Sequence, residues 1–249
     1  MKTRPVVCVL TALSLSALAG AAAAGEPRAV IELFTSQGCS SCPPADKLLG
    51  ELAHDSSVIA LSLPVDYWDY LGWKDTLALR GHGIRQRGYA ETRGDRAVYT
   101  PQVVVNGVVH ALGSDKDAIE KAIAASRAKS EALSVPVSMK VDNGRVTVTL
   151  PATDQVEGLA QIWLCPVTDK VPVTIERGEN GGHQLTYYDV VRRWVKLGQW
   201  SGKAESFSMT VDDIIKGIGG EVDRVAVLVQ KQPDGKPGVM LGAAEANLK

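Results

Sequence analysis

Two cysteines define the chemistry open to this chain. In Gly38-Cys39-Ser40-Ser41-Cys42-Pro43-Pro44-Ala45-Asp46 the thiols are separated by two residues. At that spacing they can close a small disulfide ring and exchange it through a mixed disulfide, with Cys39 as the attacking thiol and Cys42 as the resolving one. An apolar run precedes the motif and a helical pattern follows it. A helix starting there would offer unpaired N–H groups to a Cys39 thiolate and lower its pKa. Pro43 and Pro44 work against this, because proline pushes its predecessor away from α geometry and places Cys42 just outside the helix. Of the other cysteines, Cys165 sits in a strand-like run and reads as an inert core thiol.

Glu32 is the next candidate, an acid inside the otherwise apolar Ala29-Val30-Ile31-Glu32-Leu33-Phe34. Buried near the thiols, it would have a raised pKa and accept a proton during exchange. At the strand edge it would be solvated, or paired with Arg28 or Lys47. Tyr67, Trp68, Tyr70 and Trp73 crowd the stretch from Asp66 to Asp75. They form either a wall beside the disulfide, with Tyr67 and Trp68 holding an apolar or peptide substrate, or packing between two parts of the chain. Arg80, Arg85, Arg87 and Arg93 recur at near-helical spacing and read as a solvated face. His183 lies in the loop Gly178-Glu179-Asn180-Gly181-Gly182-His183 and reads as a surface histidine, with an approach to the thiols as the other possibility. His54, His82 and His110 lack paired ligand spacing, so no metal and no other cofactor is expected.

The elements that must position these residues follow from periodicity. Arg28–Phe34 and Ser57–Leu63 read as buried strands, and Ala45–Ala53 as a helix with Leu48, Leu49 and Leu52 on one face. A helical stretch is expected over residues 76–92. Asn106-Gly107 between two Val-rich runs marks a hairpin, and Gly113-Ser114-Asp115 caps a last helix over 116–129. From Val135 the pattern changes to alternation, with Asn143-Gly144 as a turn and further short strands at 159–167, 171–176, 206–211, 224–231 and 239–246. Residues 184–197 fit strand or helix. The expected organisation is an α/β domain over 25–133 followed by an all-β antiparallel sandwich-like domain over 134–249.

Strand, Cys-x-x-Cys, helix, strand, helix, Thr-Pro, hairpin and helix, in that order, resemble thioredoxin. The resemblance implies a cis peptide bond between Thr100 and Pro101, lying against the disulfide. Proline has no N–H there, which leaves the backbone of Thr100 to pair with a substrate strand. The alternative is a trans proline that opens an edge strand. Thioredoxins also carry a buried acid in the strand that holds Glu32, one residue nearer the cysteine. More specifically, Glu32 to Asp46, Val65 to Asp75 and Tyr99-Thr100-Pro101-Gln102 resemble a family of exported proteins known as domain of unknown function 1223. That resemblance implies a thioredoxin-like fold and supplies no substrate.

Residues 1–24 read as a signal peptide, with Lys2 and Arg4 ahead of an apolar segment and Ala22-Ala23-Ala24 at the cleavage site. Its loss takes two of the 27 basic residues, leaving 25 against 28 acidic, a balance that disfavours nucleic acid as a partner. No later run spans a bilayer. The expected location is the periplasm or the exterior, where disulfides persist. Two functions compete. One is a thiol–disulfide oxidoreductase acting on a protein or small thiol/disulfide substrate. The other is a non-catalytic binding protein in which the disulfide is a structural staple.

Overall fold

The computed structural model describes residues 26–129, 131–154 and 156–248; the expected leader over 1–24 lies outside them. The first half runs β1 (Ala29–Thr35), α1 (Pro43–Leu52), β2 (Val58–Pro64), α2 (Arg80–Arg93), β3 (Gln102–Val105), β4 (Val109–Leu112) and α3 (Lys116–Arg127). β1 and β2 are unbroken buried runs because both their faces are covered. They pair in parallel, Ala29 opposite Val58, while β3 pairs with β1 in the antiparallel sense, Ile31 opposite Val105. Alternation along β1 sends Ala29, Ile31 and Leu33 to the side covered by α1 and α3. Val30 and Phe34 face the opposite side, which Tyr89 of α2 fills. The β3–β4 turn is the expected hairpin, with Asn106 at φ 50° and Gly107 at φ 73°. Asp115 caps α3 by accepting from the Ala118 N–H at 2.9 Å.

The second half comprises β5 (Ser138–Asp142), β6 (Arg145–Leu150), β7 (Ala160–Thr174), β8 (Gln184–Val191), β9 (Val195–Trp200), β10 (Glu205–Thr210), α4 (Val211–Ile215), β11 (Arg224–Lys231) and β12 (Met240–Asn247). Two expected strands merge into the 15-residue β7, and the ambiguous segment resolves into β8 and β9. Sheet topology departs from the expected separate sandwich. One large mixed sheet has the order β12-β11-β7-β8-β2-β1-β3-β4, with β9 also paired to β7. β8 joins β2 in parallel at Ser62 and Val190, so the strands of the second half extend the sheet of the first. Only β10, β6 and β5 form a second, antiparallel sheet. It does build a sandwich, packing Val146, Val148 and Leu150 against Ile162, Leu164, Val225 and Val227, but the opposing layer is the far part of the large sheet. The physical cue lay in the sequence: β5 and β6 alternate as half-exposed strands, whereas β11 is a continuous buried run with the signature of β1 and β2.

The large sheet curls until its two ends meet. Met240 N–H donates to the Asn106 carbonyl at 3.0 Å, and the Gln230 side chain donates to the Tyr89 hydroxyl at 2.8 Å. The concave face encloses one core, in which Phe34, Leu61, Leu63 and Tyr89 pack with Cys165, Val167, Leu228 and Met240. The connection near Ser134 is zipped onto β12, Leu133 N–H to Met240 O at 2.9 Å and Val135 N–H to Leu241 O at 2.8 Å. Residues 25–129 expressed alone therefore expose half of that core. We expect the fragment to show no cooperative thermal transition by circular dichroism, while residues 25–249 melt in a single one. A cooperative transition in the fragment would show that the core between β1 and helices α1 and α3 suffices without the second half.

Candidate functional site

The Cys-x-x-Cys turn lies between the end of β1 and the start of α1. Cys39 and Cys42 form a disulfide with Cα atoms 5.4 Å apart. Cys42 is the residue that caps α1, in α geometry, and Pro43 and Pro44 occupy the first helical positions. The prolines leave two of the usual helix-end donors missing. The next two, the N–H groups of Ala45 and Asp46, donate to the Cys42 carbonyl at 2.8 and 3.1 Å. Cys42 is completely enclosed and Cys39 is 3% exposed, while Ser40 and Ser41 between them are open to solvent. The Ser41 hydroxyl lies 3.4 Å from Cys39 Sγ. Cys39 is thus the outer member of the pair.

Three segments brace this turn. The first is the stretch from Asp66 to Asp75. The Asp75 carboxylate accepts from Gln37 N–H and Leu77 N–H, both at 2.8 Å, and Trp73 Nε1 donates to Gln37 Oε1 at 2.8 Å. Burial outweighs those donors and pushes the Asp75 pKa up to about 6. The backbone of Trp68 presses against Gly38, where a Cβ would stand 3.1 Å from Trp68 Cβ, and Trp68 Nε1 donates to Thr100 Oγ1 at 2.8 Å. The rings of the aromatic stretch divide between two positions. Trp68 spans the Cys-x-x-Cys turn and Thr100, and Tyr70 stacks on it at 76% exposure. Trp73 instead backs onto Gly178 of the second half. Tyr67 lies beside Trp68 with its hydroxyl donating to Gln86 Oε1 at 3.1 Å.

The second brace is the Thr100–Pro101 turn, whose peptide bond is cis. Pro101 and Ala45 of α1 converge on Gly113, whose absent Cβ would lie 3.1 Å from Pro101 and 3.2 Å from Ala45. Thr100, Pro101, Trp68 and the cysteine turn are thereby one neighbourhood.

The third brace is the 178–183 loop. Asn180 Nδ2 donates to the carbonyls of Gln37 and Cys39 at 2.9 and 3.0 Å, and the Glu179 carboxylate accepts from Ser40 N–H at 3.2 Å. His183 instead bonds within its own loop, Nδ1 to Asn180 O at 3.2 Å. Sequence reasoning singled out His183 and passed over Glu179 and Asn180. The glycines announced a loop, but nothing local announced what it would touch.

Glu32 stands on the face of β1 away from α1. It is fully buried, and neither expected arrangement describes it: Arg85 Nε donates to Oε1 at 2.5 Å, and the Tyr89 hydroxyl donates to Oε2. Both oxygens are engaged across the sheet from the helix that starts at Cys42. The expected solvated arginine face is corrected with it. Arg80 and Arg87 are exposed, but Arg85 points inward, 4.1 Å from the Trp194 ring centroid. A different buried acid stands on α1. Asp46, four residues after Cys42 and on the same helix face, is buried beside the Thr35 hydroxyl with no charged partner among the described residues. Burial holds its pKa well above the ordinary carboxylate range. Among the described residues no group of three or more His, Cys, Asp or Glu is placed to hold a metal ion, and no helix is long and apolar enough to cross a membrane.

Residues 30–230 match the model of the family described as protein of unknown function DUF1223, and the chain belongs to that family. A crystal structure of a protein from Agrobacterium tumefaciens is similar at 33% identity, with a TM-score of 0.77, covering 88% of this chain and 94% of that one. HBP35 of Porphyromonas gingivalis shares the fold at 14% identity, with a TM-score of 0.59, covering 90% of this chain and 76% of that one. A search of the curated proteins gives no match.

The buried Asp46 carboxyl makes a pH-dependent prediction. Its pKa is raised on folding, so the folded state retains a proton that the unfolded chain, with a pKa of about 3.9, gives up. Its cost to stability is absent below that unfolded value and grows as pH rises above it. We expect Asp46→Asn to match wild type near about pH 3.5 and to be more stable at neutral pH by on the order of 1–3 kcal/mol. Urea titrations across that range check this, and equal stabilities at neutral pH would contradict it.

Proposed function

We propose that the mature chain is an exported thiol–disulfide oxidoreductase with a thioredoxin-like first half, acting through Cys39 and Cys42. The observation that carries this reading is the placement of the disulfide in the turn between β1 and α1, with Cys42 fully enclosed, Cys39 3% exposed, and Trp68 and the Thr100–Pro101 turn in the same neighbourhood. In the oxidising direction a substrate thiolate attacks Cys39 Sγ and Cys42 leaves as the thiolate. A second substrate thiol, after losing its proton, attacks the substrate sulfur of the mixed disulfide and releases Cys39. The substrate loses two electrons and two protons, and the pair gains them. The reverse sequence reduces a substrate disulfide. The edge running from the exposed Tyr70 through the half-buried Trp68 and Thr100 offers apolar surface and backbone to a protein or small disulfide substrate. A leader over 1–24 would deliver the protein to the periplasm or the exterior, where such substrates occur. Glu32, engaged with Arg85 and Tyr89, has no place in this scheme.

A disulfide that closes a ring of four residues restrains the unfolded chain little, about 2 kcal/mol in the chain-entropy model. That favours exchange over stapling. The second reading, a binding protein with a static disulfide, draws on the 3% exposure of Cys39 and on the donors lost to Pro43 and Pro44. Trapping separates the two. Cys42→Ser in the mature protein should accumulate mixed disulfides through Cys39 on exposure to a disulfide substrate, and Cys39→Ser should accumulate none. Failure of Cys42→Ser to capture any thiol partner, with the fold intact, would favour the static disulfide.

A further inference from the structure

The first turn of α1 is poor in donors. Pro43 and Pro44 have no N–H, and those of Ala45 and Asp46 are committed to the Cys42 carbonyl. Cys42 N–H donates to the Cys39 carbonyl at 3.1 Å, and Cys39 N–H to that of Ser36 at 3.1 Å. What remains close to Cys39 is the turn itself, with the N–H groups of Ser40 and Ser41 and the Ser41 hydroxyl, the last 3.4 Å from Sγ. The Ser40 donor is not open to a thiolate either, because the Glu179 carboxylate accepts from it at 3.2 Å.

Glu179 reaches this position from the second half of the chain, more than a hundred residues away, and it is held there. Asn180 next to it is buried and clamps the carbonyls of Gln37 and Cys39, while Gly178 on its other side packs on Trp73, where a Cβ would stand 3.3 Å from Trp73 Cβ. The loop closes on itself through Gly181 N–H to Gly178 O at 3.1 Å and Gly182 N–H to Ile175 O at 2.7 Å. The loop backbone is thus held, and the solvent-exposed Glu179 places its carboxylate on the N–H of the residue that follows Cys39.

We propose that Glu179 is a positioning residue for the redox pair: its carboxylate occupies the Ser40 N–H and repels a Cys39 thiolate, which biases the pair toward the disulfide. This rests on the oxidoreductase reading and adds to it a control supplied by the second half of the chain. In a glutathione equilibrium, two glutathione thiols give two electrons and two protons to the Cys39–Cys42 disulfide and leave as glutathione disulfide. Above the Cys39 pKa the product loses its Cys39 proton, and the stability of that thiolate enters the equilibrium constant. An anion beside it weakens the reduced form. Removal of the charge strengthens it, and a glutamine in that place still accepts from the Ser40 N–H, so the variant isolates the charge.

The test compares mature wild type, Glu179→Gln and Glu179→Asp in graded glutathione buffers at about pH 9, where a thiolate is populated. Glu179→Gln should shift the equilibrium toward the dithiol by about three- to tenfold, the upper figure being ~30 mV for this couple. Iodoacetamide should alkylate the reduced variant at lower pH than reduced wild type. Glu179→Asp, which keeps the charge, should lie closer to wild type. Salt at about 1 M, with a Debye length of about 3 Å, should narrow the gap between wild type and Glu179→Gln, as no packing effect would. Superimposed wild-type and Glu179→Gln curves, with a measurable midpoint in both, would overturn the role of Glu179 and leave the oxidoreductase reading standing. A wild-type disulfide that excess dithiothreitol cannot reduce would overturn that reading, and this proposal with it, from the wild-type sample alone.

Discussion

The pair Glu32–Arg85 sits where the two halves of the chain close on each other, and the arrangement of the rest depends on it. An acid on β1 and a base on α2 are both buried, and neither is tolerable in a protein interior without the other. Tyr89 bonds the second carboxylate oxygen, Gln230 of β11 bonds Tyr89, and the Trp194 ring lies against the guanidinium. One polar network thus ties β1 and α2 to residues from the second half. The first half alone satisfies both carboxylate oxygens, and the curl of the large sheet adds the Gln230 donor and the Trp194 ring. A hydrophobic core alone would tolerate slippage between these elements, whereas a buried ion pair with fixed partners admits one arrangement.

That closure has a consequence on the other side of β1. Once the second half is fixed against the first, the loop after β7 lies over the cysteine turn, and Glu179 and Asn180 complete contacts that the first half lacks. The turn is then held from below by α1, from one side by Asp75 and Trp73, and from another by Trp68 and Thr100. These braces grip Gln37, Gly38, the Cys39 carbonyl and Ser40 rather than the sulfurs. They also explain why the helix start can dispense with donors. Geometry here comes from the neighbours rather than from the first turn of α1, whose prolines contribute only their fixed φ.

Much of this was legible in the sequence. The apolar runs gave β1 and β2, the Asn-Gly pairs gave both hairpins, and Asp115 marked the start of α3. The cysteine turn, Trp68 and the Thr100–Pro101 turn emerged together because motifs in a fixed order name a neighbourhood. The failures share one cause. Arg85 looked solvated because its helical spacing matched Arg80 and Arg87; only the pairing of α2 with Glu32 turns it inward. Asp46 looked like an ordinary acid in a first helical turn, and its burial depends on β2 and β8 packing against α1. Glu179 and Asn180 looked like loop filler. Each of these residues takes its role from a contact with a distant segment, and periodicity carries no information about such contacts. The separate sandwich failed for the same reason, since a buried strand does not state which sheet it completes.

The central claim is that the Cys39–Cys42 disulfide is a working redox pair set in a fold that stands without it. The most direct measurement is the unfolding free energy of mature protein with the pair oxidised and with it reduced, by denaturant titration under conditions that hold each state. Neighbours, rather than the disulfide, hold the turn. The reduced protein should therefore keep the same cooperative transition and lie within about 2 kcal/mol of the oxidised protein, the most a four-residue ring supplies. Loss of cooperative unfolding on reduction would contradict the account and make the disulfide a structural staple.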